Sequence, residues 1–218
     1  MNGVSSKRST ATGGIVLCGG RSSRMGQPKA WLPFDGELML QRAVRIVQEV
    51  VDRVVVVAAP RQDVPELLPE VSIVRDEIEG RGPLQGLATG LMALEGQVDR
   101  VYLSSCDMPF LHAAFVKSVI SFVGGLTTPT RPLIAVPRVE NRFHPLAAVY
   151  STSVLPFVHR LLAADKLRPV FLFDMVPTRV IEPHELADVD PDFESLRNLN
   201  TPEEYETALS VLKSRRSE

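Results

Sequence analysis

A chain of 218 residues with 44% hydrophobic and 23% charged residues has the apolar content of one globular domain and can bury a sizeable core. By size scaling such a domain removes roughly 70% of its unfolded surface from water. A net charge of −2 excludes a bulk-electrostatic nucleic-acid binder, two cysteines exclude a disulfide framework, and no apolar run approaches the roughly 18 residues of a membrane-spanning helix.

Residues 1–13 are polar and lack the apolar core of a signal peptide, so they read as a disordered leader before one domain over 14–218. The first strand is predicted over 15–18. It runs into Leu17-Cys18-Gly19-Gly20-Arg21-Ser22-Ser23-Arg24-Met25-Gly26-Gln27-Pro28-Lys29. Glycines let a backbone approach a ligand closely, and successive N–H groups in such a turn cradle an anion. Arg21, Arg24 and Lys29 add full charges, and no acid precedes Asp35. This composition suits a triphosphate site at the carboxyl end of a strand. The spacing is not that of a Walker A loop, because five residues separate Gly20 from Gly26 and Gln27-Pro28 intervene before Lys29. Nor is G-x-G-x-x-G present here; Gly80-Arg81-Gly82 begins like one, but Gly86 comes one residue late.

Further along, Leu40, Val44 and Val47 predict a helix over 37–50. The continuous apolar run 54–59 predicts a strand covered on both faces. A short strand over 72–75 ends at Asp76, and a helix over 83–95 follows the Gly80-Arg81-Gly82 turn. Strand 101–105 ends at Cys106-Asp107. A helix over 113–122, a long loop over 124–132, strands over 134–138 and 147–150 and a helix over 154–164 complete the pattern. This β-α-β order predicts an α/β fold with a mostly parallel central sheet and helices on both faces. Ligands on such sheets bind beyond the carboxyl ends of the strands, where the glycine loop, Asp76 and Asp107 all fall.

Each of these positions has a plain reading beside a chemical one. Asp107 either holds a hydrated Mg²⁺ or starts the turn before Pro109. Pro83 suits the first turn of a helix whether or not it faces a ligand. His144 is either a substrate contact or a structural hydrogen bonder. Within Asn198-Leu199-Asn200-Thr201-Pro202-Glu203-Glu204, Thr201 as N-cap, Pro202 in the first turn and Glu204 in a capping box are helix-start chemistry, which leaves Asn198 and Asn200 unexplained. Cys18 and Cys106 read as small buried residues.

Taken together, these motifs resemble the molybdenum cofactor guanylyltransferase family. Leu17 to Lys29 is similar to its L-[AC]-G-G-x-S-x-R-M-G-x-x-K signature. Asp76 with Gly82-Pro83-Leu84-Gln85-Gly86 is similar to D-x(5)-G-P-L-x-G, Cys106 to Phe110 to C-D-x-P-[FY], and His144-Pro145 and Asn198 to Glu204 to its later motifs. The likeness covers nearly all of the chain after residue 13. It implies a Rossmann-like nucleotidyltransferase fold and transfer of GMP from GTP to molybdenum-molybdopterin, with Mg²⁺ as cofactor and pyrophosphate leaving. It further implies Arg24, Lys29 and Asp107 as catalytic residues, with Asp107 on the metal. Leu17, Cys18, Gly19, Gly20, Lys29, Asp76, Gly82, Pro83 and Asp107 would bind the nucleotide, and His144, Asn198 and Asn200 the acceptor. Expected partners are GTP, molybdenum-molybdopterin and molybdoenzymes or their chaperones, in the cytoplasm, without nucleic acid or membrane.

Two departures bear on the base. The guanylyltransferases often carry Asn at the end of the second strand, where this chain has Val57-Ala58-Ala59, and Gln27-Pro28 resembles the cytidylyl-transferring branch. Cytidylyl transfer, a sugar or small-alcohol phosphate acceptor, and a non-catalytic nucleotide-binding regulator stand as alternatives.

Overall fold

Runs of valine and isoleucine fit a pleated surface covered on both faces, and here they form the centre of an eight-stranded sheet. A computed structural model describes residues 11–19, 27–123 and 131–216. In chain order the strands are β1 (Thr12–Leu17), β2 (Pro33–Phe34), β3 (Glu37–Leu38), β4 (Arg53–Ala58), β5 (Ser72–Arg75), β6 (Arg100–Ser105), β7 (Ile134–Val139), β8 (Arg142–Phe143), β9 (Ala148–Ser151) and β10 (Thr178–Ile181). The α-helices are α1 (Met39–Gln48), α2 (Gly82–Ala93), α3 (Ala113–Ser121), α4 (Leu155–Ala163) and α5 (Pro202–Arg216).

The sheet order is β10-β7-β9-β6-β1-β4-β5, with β8 paired to β7 off this path. β1 lies parallel between β4 and β6, β5 is parallel to β4, and β10 is parallel to β7. Only β9, inserted between β6 and β7, and the short β8 run antiparallel. Val44 and Val47 of α1 and Phe115 and Val116 of α3 bury against one face. Leu84, Leu87 and Leu91 of α2 and Val158 and Leu161 of α4 bury against the other. The expected α/β architecture, helices on both faces of a mostly parallel sheet, is therefore observed. Among the described residues no helix is long and apolar enough to cross a membrane.

Several boundaries differ from the sequence reading. The helix expected over 37–50 begins at Met39, because Glu37 and Leu38 pair antiparallel with Phe34 and Pro33. The Asp35-Gly36 turn between them has positive φ at both residues (55° and 83°), the hairpin geometry that an Asp-Gly pair favours. β1 starts at Thr12, inside the stretch read as leader. The expected loop over 124–132 lies mostly outside the described residues, as do Gly20, Arg24 and the rest of the glycine loop through Gly26.

Helix α2 sits unusually close to the central strand. A Cβ at Gly90 would stand 2.6 Å from Ile15 Cδ1, and one at Gly86 would stand 2.8 Å from Leu17 Cδ2. These two glycines, one turn apart, bring the start of α2 against the end of β1. Gly90→Ala should gain about 1 kcal/mol of helix propensity but lose about 1–3 kcal/mol to overpacking. Because fully buried Ile15 has no space to retreat, the expected outcome is a lower urea midpoint in equilibrium unfolding. An equal or higher midpoint would show that β1 yields.

Candidate active site

The carboxyl ends of β1, β4, β5 and β6 open into a cavity of about 450 Å³. Leu17, Cys18 and Gly19 line it from β1, Asp76 from β5, and Gly82, Pro83 and Gly86 from the start of α2. Ser105, Cys106 and Asp107 reach it from β6, and Lys29 from the far end of the glycine loop. All the expected nucleotide residues that are described therefore line one cavity. Gly82 has a φ of +70°, a backbone conformation that favours glycine at the turn into α2.

A second, larger cavity of about 790 Å³ adjoins the first, and Pro83 and Leu146 line both. His144, Asn198 and Asn200, the expected acceptor residues, line it. So do Arg142, Arg168 and Arg197, which the sequence reading did not single out.

Side chains from three parts of the chain meet between the cavities. Lys29 Nζ donates to Asp107 Oδ2 at 2.7 Å, and the two side chains are only 18% and 15% exposed. Asn198 Nδ2 donates to Asp107 Oδ1 at 3.1 Å, and Lys29 Nζ reaches Asn200 Oδ1 at 3.3 Å. The Ser105 hydroxyl also donates to Asp107 Oδ1. Backbone holds the same join: Leu199 N–H donates to the Asp107 carbonyl at 2.9 Å. Two residues on, the Thr201 hydroxyl accepts from Glu204 N–H at 3.3 Å, and the Glu204 carboxylate accepts from Thr201 N–H at 3.2 Å. This capping box starts α5 and fixes where the two asparagines stand.

The wall that carries no Asn after β4 has a different polar anchor. Gln62 donates to the Cys18 carbonyl at 2.9 Å and accepts from Ala59 N–H at 3.0 Å, while Arg75 donates to the Ala59 and Gln62 carbonyls at 3.1 and 2.7 Å. Gln62 and Ser105 were missed in the sequence. Ser105 ends an apolar strand two residues before the aspartate, a signal that could have been read; Gln62 gave none.

Protonation states follow from burial. Asp76 accepts a 2.7 Å bond from the Thr89 hydroxyl, yet burial outweighs that bond and raises its pKa above 3.8. Burial pushes the Cys18 thiol up to about 12 and raises the Cys106 thiol well above its ordinary value. Both are neutral thiols at neutral pH, so neither supplies a thiolate nucleophile. His144 is held below 6.5 by burial and then by Arg142, which leaves a neutral imidazole near pH 7.

Among the described residues no three His, Cys, Asp or Glu side chains gather to cage a metal. The side-chain oxygens shown at the centre are those of Asp107, the Ser105 hydroxyl on it and, across Lys29, the Asn200 amide. A lone carboxylate with amide oxygens fits a hard cation that keeps most of its waters and shares substrate phosphates, and does not fit a structural zinc.

Known proteins bear on this geometry. The family described as the MobA-like NTP transferase domain matches residues 14–177. The molybdenum cofactor guanylyltransferase of Desulfosudis oleivorans is 34% identical over 207 residues, 94% of this chain and 98% of that protein. The crystal structure of molybdopterin-guanine dinucleotide biosynthesis protein A from Archaeoglobus fulgidus has the same fold, with a TM-score of 0.73 and 17% identity over 93% of this chain and 99% of that one. A Mycobacterium tuberculosis protein crystallised with manganese shares the fold at a TM-score of 0.58 and 19% identity, over 79% of this chain and 88% of its own. With the family matched over most of its length and a relative above 30% identity across nearly all of it, the chain belongs to the MobA-like NTP transferases.

Proposed function

We propose that this protein transfers GMP from GTP to molybdenum-molybdopterin, forming the guanine dinucleotide cofactor and releasing pyrophosphate. The observation that carries the reading is the junction of two cavities at Lys29, Asp107 and Asn198: one walled by Gly19, Gly82 and Gly86, one lined by arginines and asparagines. A guanylyltransferase related over 94% of the chain supports the choice of GTP and of the acceptor.

In this reading the nucleotide occupies the smaller cavity, against the backbone of Leu17, Cys18 and Gly19 and beside Asp76, Gly82 and Pro83. The acceptor lies in the larger one, beside His144, Asn198 and Asn200. A terminal phosphate oxygen of the acceptor attacks the α-phosphorus of GTP; the bond from that phosphorus to the bridging oxygen breaks, and pyrophosphate leaves with the electron pair. Such a transfer asks for positioning and charge neutralisation more than for covalent chemistry. Lys29 supplies a cation at the junction and Arg24 is assigned as the second. Asn198 and Ser105 orient Asp107. Asp107 would hold Mg²⁺ together with the substrate phosphates, and that ion, when bound, offsets charge on the transferring phosphoryl group. Neutral His144 suits a hydrogen bond to the acceptor rather than an ion pair. Asp76 is assigned to the ribose or base side, where a carboxylate accepts from hydroxyl or N–H groups.

Gln27-Pro28, with no Asn in Val57-Ala58-Ala59 at the end of β4 to fix the base, favours one second reading, cytidylyl transfer by the same machinery. Pyrophosphate release with molybdopterin and each nucleotide separates the two. GTP should give a kcat/KM at least tenfold above CTP or UTP. A preference for CTP would change the product, and release with none of them would overturn the reading.

Lys29→Ala should lower kcat by about 10²-fold, the scale of losing one preorganised donor to transition-state charge. Turnover near wild type would remove Lys29 from the mechanism.

The raised pKa of Asp76 gives a pH signature. Its folded-state pKa lies above 3.8, so the stability linked to its proton is present below that value and is lost as pH rises through the folded pKa. Asp76→Asn should therefore melt higher than wild type at pH 7, with the gain closing towards pH 3.8, while GTP binds more weakly. An equal melting point at pH 7 would show that ionised Asp76 carries no burial penalty.

A further inference from the structure

The opposite end of the sheet holds a cavity that the reaction does not use. Of about 470 Å³, it is lined by Arg100 at the start of β6, Arg131 and Leu133 before β7, and Ser151 and Thr152 at the end of β9. At roughly 3.3 Å per residue, the six residues of β6 place it about 20 Å from the active centre that follows the strand's other end.

The two arginines are short of acceptors. Arg100 Nε donates to the Thr12 hydroxyl at 3.0 Å, but its Nη1 is buried and has no hydrogen-bond partner among the described residues. Among the described residues Arg131 makes one long bond, from Nε to the Val123 carbonyl at 3.4 Å, and its residue is exposed. Among the described residues neither guanidinium stands in an ion pair. The one carboxylate on the cavity wall, Asp99, is exposed and pairs with neither. Burial, and then the charge of Arg131, depresses the pKa of Arg100 against a smaller opposing pull from Asp99. Arg100 and Arg131 line one cavity with no carboxylate paired to either among the described residues, and a doubly charged oxyanion there would accept several charge-assisted bonds at once.

We propose that Arg100 and Arg131 form a binding site for a small tetrahedral dianion of the phosphate class, separate from the nucleotide and acceptor cavities. The Thr12 hydroxyl fixes the Arg100 guanidinium against β1, so the anion would tie the start of β6, the start of β1 and the segment before β7 together. It stabilises the far end of the strands that carry the reaction centre without touching substrate.

The test is calorimetric titration of inorganic phosphate into the full chain carrying Lys29→Ala, which weakens phosphate binding at the active centre. One phosphate should bind, and adding Arg131→Gln should lower that affinity at least tenfold. Exposed Arg131 is chosen because its replacement leaves the fold intact, which an unchanged melting point without phosphate checks. Arg131→Gln alone should leave pyrophosphate release from GTP as in wild type. Glycerol phosphate in a parallel titration separates a free ion from the phosphate of a larger molecule; either one binding through Arg131 supports the site. Phosphate binding that is absent, or that is unaltered by Arg131→Gln, overturns it, as does a sulfate-soaked crystal with only water between the two guanidiniums.

Discussion

The junction of the two cavities depends on one ion pair, Lys29 with Asp107. Its 2.7 Å contact is largely shielded from water, and taking two charges out of water repays its desolvation only when further hydrogen bonds satisfy both groups. Those bonds come from elsewhere in the chain: Ser105 and Asn198 on the carboxylate, Asn200 on the ammonium. Side chains 171 residues apart in sequence are thereby held within hydrogen-bond distance. Lys29, the residues just past β6 and the segment leading into α5 meet at this point, and the two cavities meet there too.

That point is set by the sheet. Because β1 and β6 are parallel neighbours in register, with Leu17 beside Ser105, the loops that leave them emerge side by side. Gly86 and Gly90 let α2 lie close enough on β1 for its first turn to wall the nucleotide cavity. Gln62 and Arg75 draw the loops after β4 and β5 onto the end of β1. Apart from Lys29, the described residues assigned to the nucleotide thus sit at the strand ends or just beyond them and at the first turn of α2, and the burial that shapes the cavity also keeps both cysteine thiols neutral.

The elements most readable in the sequence were those with a strong period or a chemical signature. The valine run of β4, the helical spacing of α1 and the Asp107 strand end all stand where their residues indicated. The Asn198–Glu204 segment was readable because helix capping accounted for Thr201, Pro202 and Glu204 and left two asparagines over. The β2–β3 hairpin was missed although Asp35-Gly36 announces it, since two-residue strands carry no period of their own. β10 was missed for a similar reason: Thr178-Arg179-Val180-Ile181 is short, and only pairing with β7 makes it a strand. The arginines of the larger cavity lie in separate segments, Arg142, Arg168 and Arg197, so only the tertiary fold brings them together. Gln62 belongs to the same class, a loop residue whose role exists only once β1 and β4 are adjacent.

The account stands on Lys29 and Asp107 acting as one unit, and a double-mutant cycle tests that directly. Lys29→Ala, Asp107→Ala and the double variant would be compared in kcat/KM for pyrophosphate release from GTP with the molybdopterin acceptor. If the pair acts as a unit, the double variant loses little more than the worse single variant. If the two losses multiply in full, the residues act independently and the ion pair is not the centre of the mechanism.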